Sequence, residues 1–280
     1  MNRVNISIVL FHNDMNKVKK VILSALDTPL NVMLYLIDNS TNDDLKILTQ
    51  LDDKIIYIHN SVNLGFGSAH NIALNFSINE KIPYHLVLNP DVMYDNNVLM
   101  NLYEFMELNS TVGNISPKIL YPNGEIQYLS KLLPTPFILI VRRFFLKGRF
   151  LKNLNDLYQL KFTNYNILMN VPNLSGCFMF LRTSALKDVG TFDSNIFLYF
   201  EDVDLNRRIH IKYQTLFYPF VSVYHDYAKG SYLKFGMLML HIKSSVYYFN
   251  KWGWFIDKAR RKTNKRVLQD LQTLSNSKKN

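Results

Sequence analysis

Short runs of Ile, Val and Leu alternate with polar stretches of helical spacing through the first half of the chain. Residues 5–11, 32–37, 55–59 and 85–88 read as strands, too apolar to leave either face in water. Between and after them, 15–26, 43–51, 67–76 and 96–108 carry the spacing of helices, the last with Asp95 or Asn96 as its cap. Strands separated by helices require crossover connections, which predicts an α/β fold with a mostly parallel, Rossmann-like sheet and helices on both faces. Ligands of such sheets bind beyond the carboxyl ends of the strands. The loops after Phe11, Ile37, His59 and Leu88 are therefore the ones to inspect.

The second half has a different texture. Residues 119–129 read as a hairpin around Pro122-Asn123-Gly124. Residues 132–151 form a proline-interrupted, basic and apolar insertion. A buried strand is expected over 176–181, helices over 184–189 and 202–212, and short strands over 216–218 and 221–225. Two terminal helices, 233–250 and 255–274, complete the pattern.

Composition narrows the class. The chain of 280 residues is 48% hydrophobic, enough for a large core and incompatible with disorder. Cys177 is the single cysteine, which excludes an internal disulfide or a cysteine-rich zinc site. The apolar run near the N-terminus ends at His12 and has no cleavage pattern, so it does not read as a signal peptide. The formal charge of +10 favours anionic partners. It is concentrated at Arg142, Arg143, Lys147, Arg149 and Lys152, and again at Lys258, Arg260, Arg261, Lys262, Lys265 and Arg266. With the aromatic residues nearby, these clusters read either as an anionic-membrane contact or as packed helices with a solvated face. Basic residues are not interleaved with aromatics as single-strand nucleic-acid binders require, so no nucleic-acid partner is expected.

The strand-end loops carry the candidate chemistry. Phe11 and Asn13 offer an aromatic edge and an amide; Asp38-Asn39-Ser40 offers a carboxylate, or simply a turn. Asn63, Gly65, Phe66, Gly67 and Asn71 place a glycine-containing turn before a helix, where backbone amides face an anion. Asn89-Pro90-Asp91 is a good turn sequence whose carboxylate also suits a hard cation. His225 precedes a loop containing Lys229. The densest segment is 192–208, where Tyr199, Glu201, Asp202, Asp204, Arg207 and Arg208 stand among aromatic rings. Carboxylates in such surroundings must be paired or put to use. A surface helix with an Asp204–Arg208 pair explains only part of it.

In this order the motifs resemble inverting family 2 glycosyltransferases of the GT-A fold, and in particular a bacterial rhamnosyltransferase-like branch. The resemblance covers residues 5–231 and is carried by 37–40, 63–71, 88–91, 175–179, 189–193, 197–205 and His225. It implies a catalytic domain over 1–231, with a nucleotide-binding half (1–116), an acceptor-binding half (117–231, insertion 131–169) and a basic helical extension (232–280). It implies that Asp202 is the base, that Glu201 and Tyr199 bind acceptor, and that Phe11, Asn13, Asp38, Asn63, Gly65, Phe66, Gly67, Asn71 and Asn89 line the donor nucleotide. Asp91 and His225 would hold a divalent metal, Mg or Mn, with Asn89 replacing the first acid of the motif; Arg207, Arg208 and Lys229 would face the diphosphate. The implied donor is dTDP-rhamnose, with a UDP-hexose or UDP-galactofuranose as the alternative; the rival from another class is a non-catalytic basic protein that binds a membrane or nucleic acid. The implied acceptor is a lipid-linked saccharide of cell-surface polysaccharide synthesis, met at the cytoplasmic face of a membrane.

Overall fold

The structure, a computed structural model, describes residues 3–144, 148–226 and 235–277. Among these, nine strands form one sheet. Its first half is parallel, in the order β3 (Ile55–His59), β2 (Asn31–Asp38), β1 (Arg3–Leu10), β4 (Tyr84–Leu88). The chain winds outward from β1 to β3 and then returns to β1's other side. The loops after β1 and β4 thus flank a switch point, where such sheets place ligands. Beyond β4 the sheet is mixed. β8 (Phe178–Arg182) runs antiparallel between β4 and β6 (Val112–Leu120), and β9 (Gln214–His225) is parallel to β6. Two short antiparallel strands, β5 (Val92–Met93) and β7 (Met169–Asn170), close on β9.

Helices cover both faces. α1 (Met15–Leu26) is capped by Asp14, which accepts from Lys17 N at 2.9 Å, and buries Val18, Val21, Ile22 and Ala25. It shares a core with α3 (Asn97–Leu108) and with Val4, Ile6, Ile8 and Leu10 of β1. On the other face lie α2 (Phe66–Asn79), α6 (Thr183–Val189) and α7 (Glu201–Lys212), packed through Leu74, Leu186, Leu205 and Ile209. The insertion forms α4 (Pro136–Phe144) and α5 (Arg149–Tyr158). Its Leu132, Ile138 and Tyr158 share a core with Val267 and Leu271 of the last helix, α9 (Lys258–Ser277). α8 (Phe235–Trp252) packs Tyr248 and Phe249 against Phe200.

Three local expectations are corrected. The stretch expected as a helix over 43–51 is a 3-10 helix, Asp44–Leu51. The two short strands over 216–225 are one strand, β9, which carries a register shift against β6 at Pro117/Lys118. The hairpin keeps its turn, with Tyr121 N–H donating to Glu125 O at 2.8 Å, but its first arm is the end of β6 and its second is a single bridge, Leu120 with Ile126.

Candidate active site

The carboxyl ends of the parallel strands form one edge, where Leu10, Asp38 and His59 are in register. Asp38 is fully buried there. Its Oδ1 accepts from Ser40 N at 2.8 Å and its Oδ2 from the Tyr57 hydroxyl at 2.7 Å. Asp38 therefore organises its loop. Phe11 is half exposed beside it, and Asn13 Oδ1 accepts from Phe11 N. Asn39 Nδ2 donates to Gly65 O at 3.1 Å, and Asn63 Oδ1 accepts from Gly65 N, which ties the second and third strand-end loops together.

Gly65 is the hinge of this arrangement. Its φ is +81°, and a Cβ there would stand 2.2 Å from Phe197 O, the carbonyl that accepts from Phe66 N. Only glycine permits that approach. Gly67 admits Phe192 in the same way, while Asn71 brackets Phe192, donating to its carbonyl and accepting from its N–H. Asn71 thus clamps the 192 loop to α2, and Phe66 packs its ring on His70 and Phe192.

The aromatic-acidic segment enters α7 through two consecutive left-handed residues, Tyr199 (φ 67°) and Phe200 (φ 70°). Non-glycine residues held there store strain that the surrounding packing must sustain. Tyr199 lies half-buried against His241, and Ser244 of α8 donates to Leu198 O. The turn delivers Glu201 and Asp202 to the N-terminal end of α7, where the helix dipole favours negative charge. Asp202 Oδ2 accepts from Gly176 N at 2.9 Å and Oδ1 from Val203 N at 2.8 Å. Cys177, next to Gly176, accepts from Asn89 N at 3.0 Å through its carbonyl. Two adjacent residues therefore join the Asp202 carboxylate to the loop that carries Asp91.

Asp91 Oδ1 lies 3.3 Å from His225 Nε2, across the β5–β9 pair that sets Val92 opposite His225. The other ring nitrogen of His225 is fixed by Gln127 at 3.0 Å. Burial opposes a charged imidazole here, but the Cys177 sulfur and the Asp91 carboxylate outweigh it and raise the His225 pKa to about 10. One carboxylate oxygen and one imidazole nitrogen, converging in a field that favours positive charge, fit a divalent cation whose remaining ligands come from a diphosphate and water. Among the described residues no group of three His, Cys, Asp or Glu side chains completes a site.

Glu201 and Asp202 stand side by side at the start of α7. Burial, followed by Asp202, raises Glu201 well above the usual carboxylate range, and its Oε2 has no hydrogen-bond partner among the described residues. Burial raises Asp202 as well, opposed by its two backbone donors and by Lys131. Burial thus pushes both carboxyl groups toward the neutral form, and the backbone donors and Lys131 oppose it at Asp202. Lys131 is a site residue that motif reading did not single out. Its N–H pairs with Asn173 O at 2.8 Å, three residues before Gly176. Burial and then Arg142 lower its pKa to about 7, against the pull of Asp202 and Cys177.

Two expected diphosphate ligands are corrected. Arg207 is buried, hydrogen-bonded to Asp257 at 2.9 Å and Tyr248 at 3.1 Å, with its guanidinium 4.1 Å from the Trp252 ring centroid. Lending it to a diphosphate would leave Asp257 charged and buried, at a cost of about 3–5 kcal/mol. Arg208 is spent on Asp204 and on the carbonyls of Val189, Gly190 and Thr191. Both join α7 to its supports. Lys229 lies outside the described residues.

The fold is that of GT-A glycosyltransferases. Two solved structures share it: GalNAc-T7 with UDP, GalNAc and Mn2+ (TM-score 0.59, 15% identity, 80% of this chain and 43% of that one) and TarS of S. aureus (TM-score 0.56, 14% identity, 96% and 43%). The family model for glycosyl transferase family 2 matches residues 7–190, more than half of the chain, and the chain belongs to that family. Similar curated proteins include the low-salt glycan biosynthesis hexosyltransferase Agl10 of Haloferax volcanii, 27% identical over 61% of this chain and 51% of the relative. Another is the N-acetylglucosaminyl-diphospho-decaprenol L-rhamnosyltransferase of Mycobacterium tuberculosis, 24% identical over 74% and 70%. The chain spans about half the length of the Haloferax relative and less than half of the two solved chains.

Proposed function

We propose that this protein is an inverting glycosyltransferase that moves a sugar from a nucleoside diphosphate to the hydroxyl of a lipid-linked saccharide. The observation that carries the reading is the coupling of Asp202 to the Asp91 loop through Gly176 and Cys177. A carboxylate at the N-terminal end of α7, joined through two adjacent residues to the loop of Asp91, is the arrangement a single displacement needs. Asp202 accepts the acceptor hydroxyl's proton as that oxygen attacks the anomeric carbon and the nucleoside diphosphate departs from the opposite face. Asp91 and His225 would hold Mg2+ or Mn2+, which when bound offsets charge on the leaving diphosphate. The Gly65–Phe66 turn shapes the donor side of the crevice.

L-Rhamnose from dTDP-rhamnose is the proposed donor sugar, supported by the name of the mycobacterial relative. That name, with its diphospho-decaprenol, also supports a lipid-linked acceptor. Among the described residues no helix is long and apolar enough to cross a membrane. α8, however, exposes Phe235, Met239, Ile242 and Val246 at helical spacing, and Phe255 and Ile256 stand in water just before the basic α9. An apolar stripe beside concentrated positive charge supports peripheral contact with an anionic bilayer.

The reading is tested by incubating the enzyme with dTDP-rhamnose, UDP-galactofuranose and UDP-hexoses and measuring release of nucleoside diphosphate with a polyprenyl-diphosphate saccharide present. Release confined to dTDP-rhamnose is expected. Release from a UDP-sugar alone replaces the donor assignment, and release from none rejects the activity. Asp91→Ala is expected to weaken donor binding in Mg2+ or Mn2+ by about tenfold or more, read by calorimetry; full activity of the wild type in a chelator would show a metal-free enzyme. Lys131→Met removes a positive neighbour of Asp202. The acidic limb of the kcat/KM profile should then move up by about half to one pH unit, and an unmoved limb would show that the ammonium does not act on the base.

A further inference from the structure

A second pocket lies away from the sheet edge, between the C-terminal end of α7 and the first half of α9. Its volume is about 220 Å3, and its lining includes Arg207, His210, Lys262, Thr263 and Arg266, with no acidic side chain. Arg207 is already neutralised by Asp257. Arg266 is held differently. Its Nη2 donates to His210 Nε2 at 3.1 Å, and His210 Nδ1 meets Thr215 Oγ1 at 2.7 Å. The Thr215 hydroxyl in turn donates to Val171 O at 2.5 Å. The direction of this relay is forced. The hydroxyl's one proton goes to the carbonyl, so Nδ1 carries the ring proton and Nε2 is the acceptor for arginine. Burial and Arg266 lower the His210 pKa to about 4, so the ring is neutral near pH 7.

Arg266 is therefore oriented by a neutral partner that leaves its charge uncompensated. Arg266 is itself exposed, and its bond to His210 holds it at the pocket. An arginine that packs two helices together ordinarily ends on a carboxylate or on carbonyls, as Arg208 and Arg260 do here. Arg266, Lys262 and Thr263 line the same cavity, and between them they carry guanidinium, ammonium and hydroxyl donors. That is a donor set for three or more anionic oxygens arranged in space, which suits a tetrahedral phosphate better than a planar carboxylate. The volume exceeds that of a bare phosphate ion and leaves room for an esterifying group.

We propose that the pocket between α7 and α9 is a phosphate-binding site, separate from the donor crevice, with Arg266 as its fixed anchor and Lys262 and Thr263 as its further donors. The site does not depend on the activity proposed above, because its ligand is recognised by this donor set alone. Phosphate of two sources carries the required chemistry: a soluble phosphate compound, or the headgroup of an anionic lipid reached through the exposed residues at the start of α9.

The test uses the full chain at pH 7.5 and constant ionic strength, in a chelator so that no metal holds phosphate in the donor crevice, with inorganic phosphate as the only phosphate compound present. Inorganic phosphate is titrated by calorimetry against a chloride control. Phosphate binding that weakens at least tenfold in Arg266→Gln is expected. Lys262→Ala, at an exposed position that does not support the fold, should weaken it several-fold and serves as the readout should Arg266→Gln unfold. A parallel arm floats the protein with phosphatidylcholine vesicles containing phosphatidylglycerol. Loss of flotation in the same variants assigns the lipid source, and intact flotation with lost phosphate binding assigns the soluble one. No phosphate binding above the chloride control, or equal binding by wild type and both variants, overturns the proposal.

Discussion

Asp202→Asn is expected to lower the transfer rate by about 10²–10⁴-fold while leaving donor affinity within a few-fold of wild type. The first figure follows from the loss of a general base, whose contribution is typically about 10²–10⁴-fold. An asparagine cannot take up the acceptor's proton at any accessible pH. The second follows from geometry: Asp202 touches Gly176 and Val203 N–H groups, whereas the donor-side loops are held by Asn39, Asn63 and Gly65. The substitution has a structural cost as well. The two carboxylate oxygens each accept one backbone bond, and an amide offers a single oxygen, so one N–H is left facing an NH2 group. About 1–3 kcal/mol of stability is the expected penalty, which a melting curve separates from the kinetic effect. The decisive measurement is single-turnover transfer at saturating donor. A variant that stays within tenfold of wild type would remove Asp202 from the reaction and move the search for the base to Glu201.

How far this site is legible before the fold is seen depends on how locally its causes lie. Strands β1, β2 and β4 declare themselves because they are mostly buried on both faces, and continuous Ile, Val and Leu have no other place to go. Glu201 and Asp202 declare themselves because carboxylates beside Phe197, Tyr199 and Phe200 are costly without a purpose. β6 is hidden for the opposite reason. Gly113 and Pro117 interrupt its pattern, yet each has a tertiary use: a Cβ at Gly113 would stand 2.6 Å from Ile209 on α7, and Pro117 sits at the register shift against β9. Arg207 and Arg208 both stand nearly two turns from the N-terminal end of α7, and the family resemblance pointed both toward a diphosphate. Only the partner at Asp257, fifty positions later, shows that Arg207 turns the other way. Lys131 carries no local signal because its neighbours Asn173, Arg142 and Asp202 come from three separate parts of the chain.

The fold is expected to lose stability steeply as the pH falls below about 6.5, before most surface carboxylates titrate. The cause is a set of buried histidines. On the helix-facing side of β1, His70 Nδ1 meets Ser7 Oγ at 2.7 Å, Ser7 Oγ meets His85 Nε2 at 2.8 Å, and His85 Nδ1 meets Ser77 Oγ at 2.7 Å. Ser77 donates onward to Ala73 O, which fixes His85 as donor at Nδ1 and acceptor at Nε2. A second proton on His85 would therefore confront a serine that already donates to it. Burial lowers the His85 pKa to about 3 and that of His70 well below its ordinary value, while His210 is lowered to about 4. In the unfolded chain all three titrate near about 6.5. Below that value the unfolded state binds more protons than the folded one, so stability falls with pH, by up to about 1.4 kcal/mol per pH unit for each group. Three groups give about 4 kcal/mol per unit across the window from about 6 to 4.5. Against a total of about 5–15 kcal/mol, that is enough to unfold the protein. His225 does not steepen this slope: its folded pKa is raised, so its contribution is complete below 6.5 and is lost only as pH rises toward about 10. Glu201 and Asp202, raised by burial, take up protons early in the folded state and return part of the loss. Urea denaturation at half-unit steps from pH 7.5 to 4.5 measures the slope, and His85→Gln should reduce it by about one proton's worth. A stability that stays flat between pH 7 and 5 would mean that these rings accept protons in place, and that the serine relay does not hold them neutral.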